Sequence, residues 1–275
     1  MEGEVLEREL AFHRQVAKDA LARLAPVPKY IIDRYAKARH WRVFPKERLF
    51  REVQRQVQHA NAELVVGEFG CGDGINSCEL VRTIPNFRME SFDISPEQID
   101  VARKRAALNH VADRINFFVA DAERDPMKGK QVDIMLALSI LHHVDIKKVV
   151  PALISSTKPG GLLIFNEPIA FSPSLQRVRD AVPVKKDVSP DERQLVKAEV
   201  EYLTSVLANP QIYYCLMFGR LARFLSNANK IDKGHPFTKV ALISLGWIDN
   251  TLLAIFPFMS RYAGRVMIIG NAPQK

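Results

Sequence analysis

The stretch LVVGEFGCGDG, residues 64–74, passes from an apolar run through one acid into three glycines spaced two apart, Gly70, Gly72 and Gly74. The apolar run reads as a buried strand. The glycines read as a tight strand-to-helix turn whose backbone, lacking Cβ atoms, can close on a ligand. A dinucleotide fingerprint would run G-x-G-x-x-G, whereas here the third glycine comes one place early and Glu68 stands just upstream. A negative side chain entering such a loop suits a ligand bearing positive charge better than it suits a pyrophosphate.

Outward from this loop, short apolar runs alternate with polar helical windows. "FRMESFDI", "RINFFVAD", "VDIMLALS" and "GLLIFNE" are separated by "GINSCELVRTI", "SPEQIDVARKRAALNHV" and "IKKVVPALISSTKPGG". Strands alternating with helices imply βαβ crossovers, and so an α/β fold with a mostly parallel sheet covered on both faces. Ser95 is placed to cap a helix that begins at Pro96. Two helices precede the sheet: one over "ERELAFHRQVAKDALARL", and one after Pro45 with Leu49, Phe50, Val53 and Val57 on a single face. Beyond residue 170 the chain is basic and punctuated by proline, and it ends in the strand-like "RVMIIGN", which is expected to close the sheet.

Ligands of such sheets sit at the carboxyl ends of the strands, near the point where strand order reverses. Asp93 ends the second strand about 20 residues past the glycines, where an acid can take both ribose hydroxyls of a nucleoside. Asp121 ends the third strand and offers an acceptor to an adenine amino group.

These segments together resemble the class I S-adenosylmethionine-dependent methyltransferases, in the small-molecule group with an "LHH"-type fourth motif. "VVGEFGCGDG" is similar to their first motif, "SFDISPEQIDVARKRA" to their ribose-binding motif and "VADAE" to their adenine-binding turn. "VDIMLALSILHHV" and "TKPGGLLIFNEP" are similar to their fourth and fifth motifs. The resemblance covers residues 63–168. It implies a Rossmann-like, doubly wound core with S-adenosyl-L-methionine as cofactor. Glu68, Gly70, Cys71 and Gly72 would hold the methionine end, Asp93 with Ile94 the ribose, Asp121 with Ala122 the adenine, and Leu138 would lie beside the cofactor.

Methyl transfer is an in-line displacement that needs positioning and the exclusion of water, and a base only where the acceptor has a proton to lose. The candidates for that base are His142, His143 and Glu167, which follow the fourth and fifth strands and are expected to project toward one mouth. The alternative for the histidines is a role in shaping the loop, and for Glu167 the pinning of a loop.

The 275 residues bear a net charge of +8, divided as +5 over 1–62, −3 over 63–170 and +6 over 171–275. This suggests three regions: an N-terminal helical lid (1–62), a cofactor-binding core (63–170), and a substrate cap with sheet-closing strands (171–275). The acidic start "MEGEVLEREL" is unlike a signal peptide, so a cytoplasmic location is expected. Cys71, Cys78 and Cys215 have neither disulfide arithmetic nor zinc spacing, and no metal is expected.

His40, Trp41, Arg42 and Lys46 cluster before the sheet, where they either close over the cofactor or pack upon it. Near the C-terminus "FTKVALISLGWIDNTLLAIFPFMSRYAG" is apolar but interrupted by Asp249 and Asn250, which argues against a membrane span. It reads either as a buried cap helix or as a greasy entrance, rimmed by Arg220, Arg223, Lys230, Lys233 and Lys239, for a lipid-like acceptor with peripheral membrane contact. A small hydrophobic or amphiphilic acceptor with O-methylation is therefore expected. The rivals are a cofactor-binding protein without transfer activity and, disfavoured by "ALSILHHV", a nucleic-acid methyltransferase. Oligomeric state is left open.

Overall fold

A computed structural model describes residues 3–29, 45–123, 126–172, 193–218 and 236–274. In chain order the elements are helices α1 (Gly3–Ala22) and α2 (Pro45–His59), strand β1 (Leu64–Phe69), α3 (Ile75–Thr83), β2 (Phe87–Asp93), α4 (Pro96–Leu108), β3 (Ile115–Val119) and β4 (Val132–Leu138). A 3-10 turn (Leu141–His143), α5 (Ile146–Ser155), β5 (Thr157–Pro168), α6 (Lys197–Ser205) and β6 (Ala208–Cys215) follow. The chain then forms α7 (Pro236–Ile255), a second 3-10 turn (Pro257–Tyr262) and β7 (Arg265–Asn271).

The seven described strands form one sheet in the order β3-β2-β1-β4-β5-β7-β6. β1 to β5 are parallel, and β7 runs antiparallel to both β5 and β6. Strand order reverses between β1 and β4, which places the glycine loop at the switch point.

Strand alternation splits the core into two layers. Val66, Ile134, Leu136, Leu162, Ile164, Met267 and Ile269 face α2, α3 and α4. Met135, Ala137, Leu163, Phe165, Val266 and Ile268 face α5 and α6. Over β1 to β3 this second face carries a ladder of rings, with Phe69 stacked on Phe92 at 5.6 Å and Phe92 on Phe118 at 5.5 Å. Their positions follow from register, since Phe69 pairs with Phe92 and Phe92 with Phe118 across the strands.

The last strand in sequence does not take the edge of the sheet. β7 inserts between β5 and β6 because Val266 to Gly270 are buried on both faces, whereas β6 carries Asn209, Pro210 and Gln211 exposed. A proline and polar residues suit an edge strand, where a ladder partner is missing on one side.

α1 lies against α4 rather than over the mouth of the sheet. Arg14 pairs with Glu97 at 3.0 Å at one end, and Val27 N donates to Asn109 Oδ1 at 2.8 Å just beyond the other. His40, Trp41, Arg42, Arg220, Arg223, Lys230 and Lys233 lie outside the described residues. Over its described side chains α7 is not a buried cap helix: Trp247 is 50% exposed and Ile255 61%. No helix among the described residues is long and apolar enough to cross a membrane.

Gly74 joins the loop to α3 with φ +74°, and a Cβ there would stand 2.7 Å from Ala102 Cβ and 2.9 Å from the Phe117 ring. α3, α4 and β3 therefore meet through an absent side chain. Gly74→Ala is expected to lower unfolding free energy by about 2–4 kcal/mol, combining left-handed strain with overpacking. Urea denaturation measures this, and an unchanged midpoint would show that the contact yields freely.

Candidate active site

The loop after β1 is held by the end of β2. Gly70 N and Cys71 N both donate to Phe92 O, at 2.9 and 3.1 Å. Gly72 N donates to Asp93 Oδ2 at 2.9 Å, while Ser95 N donates to Asp93 Oδ1 at 3.0 Å. From α4, Arg105 Nε donates to Asp73 O at 2.9 Å, and its guanidinium forms an ion pair with the Asp73 carboxylate. Ser95 caps α4 by accepting from Gln98 N at 3.3 Å, as its place before Pro96 predicts. Loop, strand end and helix start thus form one hydrogen-bonded frame. Asp93 is buried, yet each carboxylate oxygen keeps a second acceptor position for a ligand hydroxyl.

Glu68 lies beneath this frame and is 1% exposed. Ser77 Oγ on α3 donates to Glu68 Oε2, and Ser77 and Ser91 hydroxyls pair at 3.1 Å. Glu68 Oε1 is buried with no hydrogen-bond partner. Burial pushes the Glu68 carboxyl up from 4.5 to about 7, opposed by the Ser77 hydrogen bond and by the charge of Lys46. Lys46, at the start of α2, is itself ion-paired with buried Glu79. Above, Gly72 has φ +51°, and a Cβ there would meet nothing within 4 Å. An unmet buried acceptor thus sits below a loop whose upper face is open. These are the features that a ligand with a cationic end and a hydroxylated ring requires.

The other expected cofactor residues border the same strand ends. Ile94 and Leu138 are half-buried, and Ala122 is buried. Asp121, half-buried, accepts from Glu123 N at 2.9 Å and so fixes its own turn. Cys71 is buried and its thiol is pushed well above the usual range by desolvation, which leaves it unreactive.

The expected catalytic trio is brought together, but largely inside the protein. His142 and Glu167 do not project into the mouth: they are 3% and 0% exposed and face each other, with His142 Nδ1 2.7 Å from Glu167 Oε2. Glu167 Oε1 accepts from Ile140 N at 2.9 Å and Leu141 N at 3.0 Å. The carboxylate therefore straps the turn after β4 to the end of β5. The 3-10 turn keeps the two adjacent histidines side by side, their ring centroids 4.2 Å apart. Both histidines line a cavity of about 900 Å³ with Asp145, Lys147, Arg193 and Tyr202, and His143 is the more exposed of the two.

One further contact at this rim had no signal in the sequence. Arg265, at the start of β7, donates through Nη2 to Asn166 O at 2.9 Å and also to Ser139 Oγ. Ser139 takes φ +59° directly after β4, and Ser139 N donates to Asn166 O at 2.9 Å. A left-handed non-glycine residue is thus held from two sides at the strand end.

Two expectations follow. The folded protein retains on Glu68 a proton that the unfolded chain releases above about pH 4.5, so this group's contribution to stability is full below 4.5 and lost as pH rises through 7. The loss amounts to about 3 kcal/mol. Glu68→Gln should flatten that part of the stability profile in urea unfolding between pH 5 and 8, and an identical slope in the variant would place the titration elsewhere. Glu167→Gln should cost about 1–3 kcal/mol by weakening a fully bonded buried carboxylate. A thermal midpoint equal to the parent's would show that the strap carries no stability.

Residues 66–161 match the family described as Methyltransferase domain. The chain is 24% identical over 188 residues to malonyl-[acyl-carrier protein] O-methyltransferase 2 of Ilyobacter polytropus, covering 62% of this chain and 69% of that protein. It is 24% identical over 149 residues to ajmaline N-methyltransferase of Rauvolfia serpentina, covering 54% of this chain and 46% of that protein. The fold is shared with geranyl diphosphate C-methyltransferase of Streptomyces coelicolor A3(2), solved with S-adenosyl-L-homocysteine. That likeness has a TM-score of 0.53 at 15% identity and covers 82% of this chain and 79% of that one. Strand order, loop frame and matched segment agree: residues 66–161 form a methyltransferase domain on a Rossmann-like sheet.

Proposed function

We propose that this chain methylates a small hydrophobic or amphiphilic acceptor, with oxygen as the favoured acceptor atom. The observation that carries the reading is the pairing of an unmet Glu68 oxygen with the open face of Gly72, inside the frame that Asp93 ties together. Glu68 and Gly72 would take the cationic amino-acid end of S-adenosylmethionine, Asp93 the ribose and Asp121 the adenine. When bound, the cofactor supplies a methyl group already activated on a sulfonium.

The protein's part is then positioning. Asp93 and Arg105 fix the loop, and Glu167 fixes the turn that walls the other side, so little reorganisation is needed at the moment of transfer. His142 has one ring nitrogen engaged by Glu167 and serves position rather than proton transfer. His143, the more exposed of the two histidines on the cavity that both line, is the remaining candidate for taking a proton from a hydroxyl acceptor. The flanks 1–62 and 171–275 would select the acceptor. In support, exposed apolar side chains gather on α7 and the turn after it, including Trp247, Ile255 and Phe258. Oxygen is favoured because a relative aligned over 69% of its own length is named an O-methyltransferase.

Asp93→Ala should weaken S-adenosylhomocysteine binding by about 1–3 kcal/mol, the range for stranding buried hydrogen-bond partners, and Asp121→Ala should do so more mildly. Isothermal titration measures both, and methyl transfer from labelled cofactor into lipid and metabolite extracts then tests the acceptor class. Unchanged affinity in both folded variants would move the cofactor elsewhere. Tight cofactor binding with no transfer into any extract would favour a binding protein over an enzyme.

A further inference from the structure

β6 and β7 are antiparallel neighbours, and a hairpin between such strands needs about 2–5 residues. Here residues 216–264 stand between them, including the long helix α7. α7 lies against β6, and a cavity of about 600 Å³ opens between α2, β6, β7 and α7. Its walls include Ile212, Tyr213, Trp247, Ile255 and Met267, and among its described lining residues Arg48 is the one charged side chain. The volume falls within the range of small-molecule sites, which are mostly apolar with a few placed polar groups.

Two features show that the cavity is held in shape. Asp249, in the middle of α7, is 2% exposed and accepts from Phe218 N at 2.7 Å, which ties the helix to the chain leaving β6. A buried carboxylate in an apolar helix is costly, so its hydrogen bond fixes where the helix lies. From the opposite wall α2 brings the Arg48 guanidinium 3.6 Å from the centre of the Tyr213 ring. This cation–π contact orients the charge at the cavity while the arginine stem covers apolar surface.

The cavity also points toward the chemistry. Cys215, at its wall, is the register partner of Arg265, whose guanidinium reaches Ser139 at the carboxyl end of β4. A molecule lying along this wall thus has one end at the rim beside Leu138.

We propose that this cavity seats the apolar part of the acceptor, which is an amphiphile whose chain or ring lies against Tyr213, Trp247 and Met267 and whose carboxylate or phosphate faces Arg48. The proposal rests on the methyltransferase reading above and specifies its substrate class. Its seat is built by α2 and the β6–β7 insertion, away from the glycine loop.

The test titrates the full-length protein with sodium dodecanoate, dodecyl phosphate and dodecyltrimethylammonium below their micellar concentrations, and separately with S-adenosylhomocysteine. The expected result is saturable one-to-one binding of the anionic amphiphiles, weakened tenfold or more by Ala254→Trp, which fills the cavity from an exposed wall position. Arg48→Gln should weaken the two anions about tenfold and leave the cation unaffected. Thr251→Phe repeats the filling test at a second exposed position, and circular dichroism confirms the fold of each variant. A preference for dodecanoate or for dodecyl phosphate identifies the headgroup, and either supports the proposal. Binding that ignores both filling variants overturns it, as does binding of the cation alone. So does association only with dioleoylphosphatidylglycerol vesicles, or uptake that tracks dimerisation; either outcome makes the α7 face a docking surface instead. Retained S-adenosylhomocysteine binding without dodecanoate binding overturns this seat alone, whereas loss of both in the parent protein removes the reading beneath it.

Discussion

The carboxylate of Asp93 is the tie on which the site depends. One oxygen holds Gly72 N of the loop after β1, and the other holds Ser95 N at the start of α4. Three backbone segments from two strands and a helix therefore meet at one side chain, at the point where the sheet reverses its order. The Phe92 carbonyl, one residue earlier, takes two further loop amides, so the loop cannot shift without breaking the end of β2. Preorganisation of this kind matters for methyl transfer, where the reacting group arrives activated and the protein contributes geometry.

Below the tie the balance of forces is electrostatic. Glu68 is desolvated, and its hydrogen bond to Ser77 and the charge of Lys46 offset only part of that cost. A cation placed at its unmet oxygen would recover the remainder, so the frame favours ligands of that charge. Lys46 also joins α2 to Glu79 under the same loop, and two residues along the helix Arg48 reaches the cavity beside α7. The N-terminal part of α2 thus borders both the buried polar network under the loop and the cavity beside α7.

Much of the core was legible in the sequence because local signals and tertiary placement agree there. β1 to β5 alternate between two apolar layers, Ser95 caps where its position before Pro96 predicts, and Asp93 ends its strand. The order of β7 and β6 was harder to read, since adjacency in sequence says nothing about insertion. The signal was composition: the Val266–Gly270 run has no polar residue, whereas β6 contains Pro210. The Glu167–His142 strap was illegible as a pair, because it depends on how a three-residue 3-10 turn after β4 aims His142 at the end of β5. Ser77 and Ser91 are both polar at inward positions, which is the pattern of partners for a buried acid. Arg105 was hidden in a basic helix, and the Arg265–Ser139 contact spans strands whose register only the fold supplies.

The most direct measurement is a crystal structure of the complex with S-adenosylhomocysteine. The account predicts the amino-acid end between Glu68 Oε1 and the Gly72 backbone, the ribose hydroxyls on the Asp93 carboxylate, and the loop frame unmoved. A ligand bound away from Asp93, or a loop that must release Gly72 N from Asp93 to admit it, would contradict the claim that this frame is the prebuilt cofactor seat.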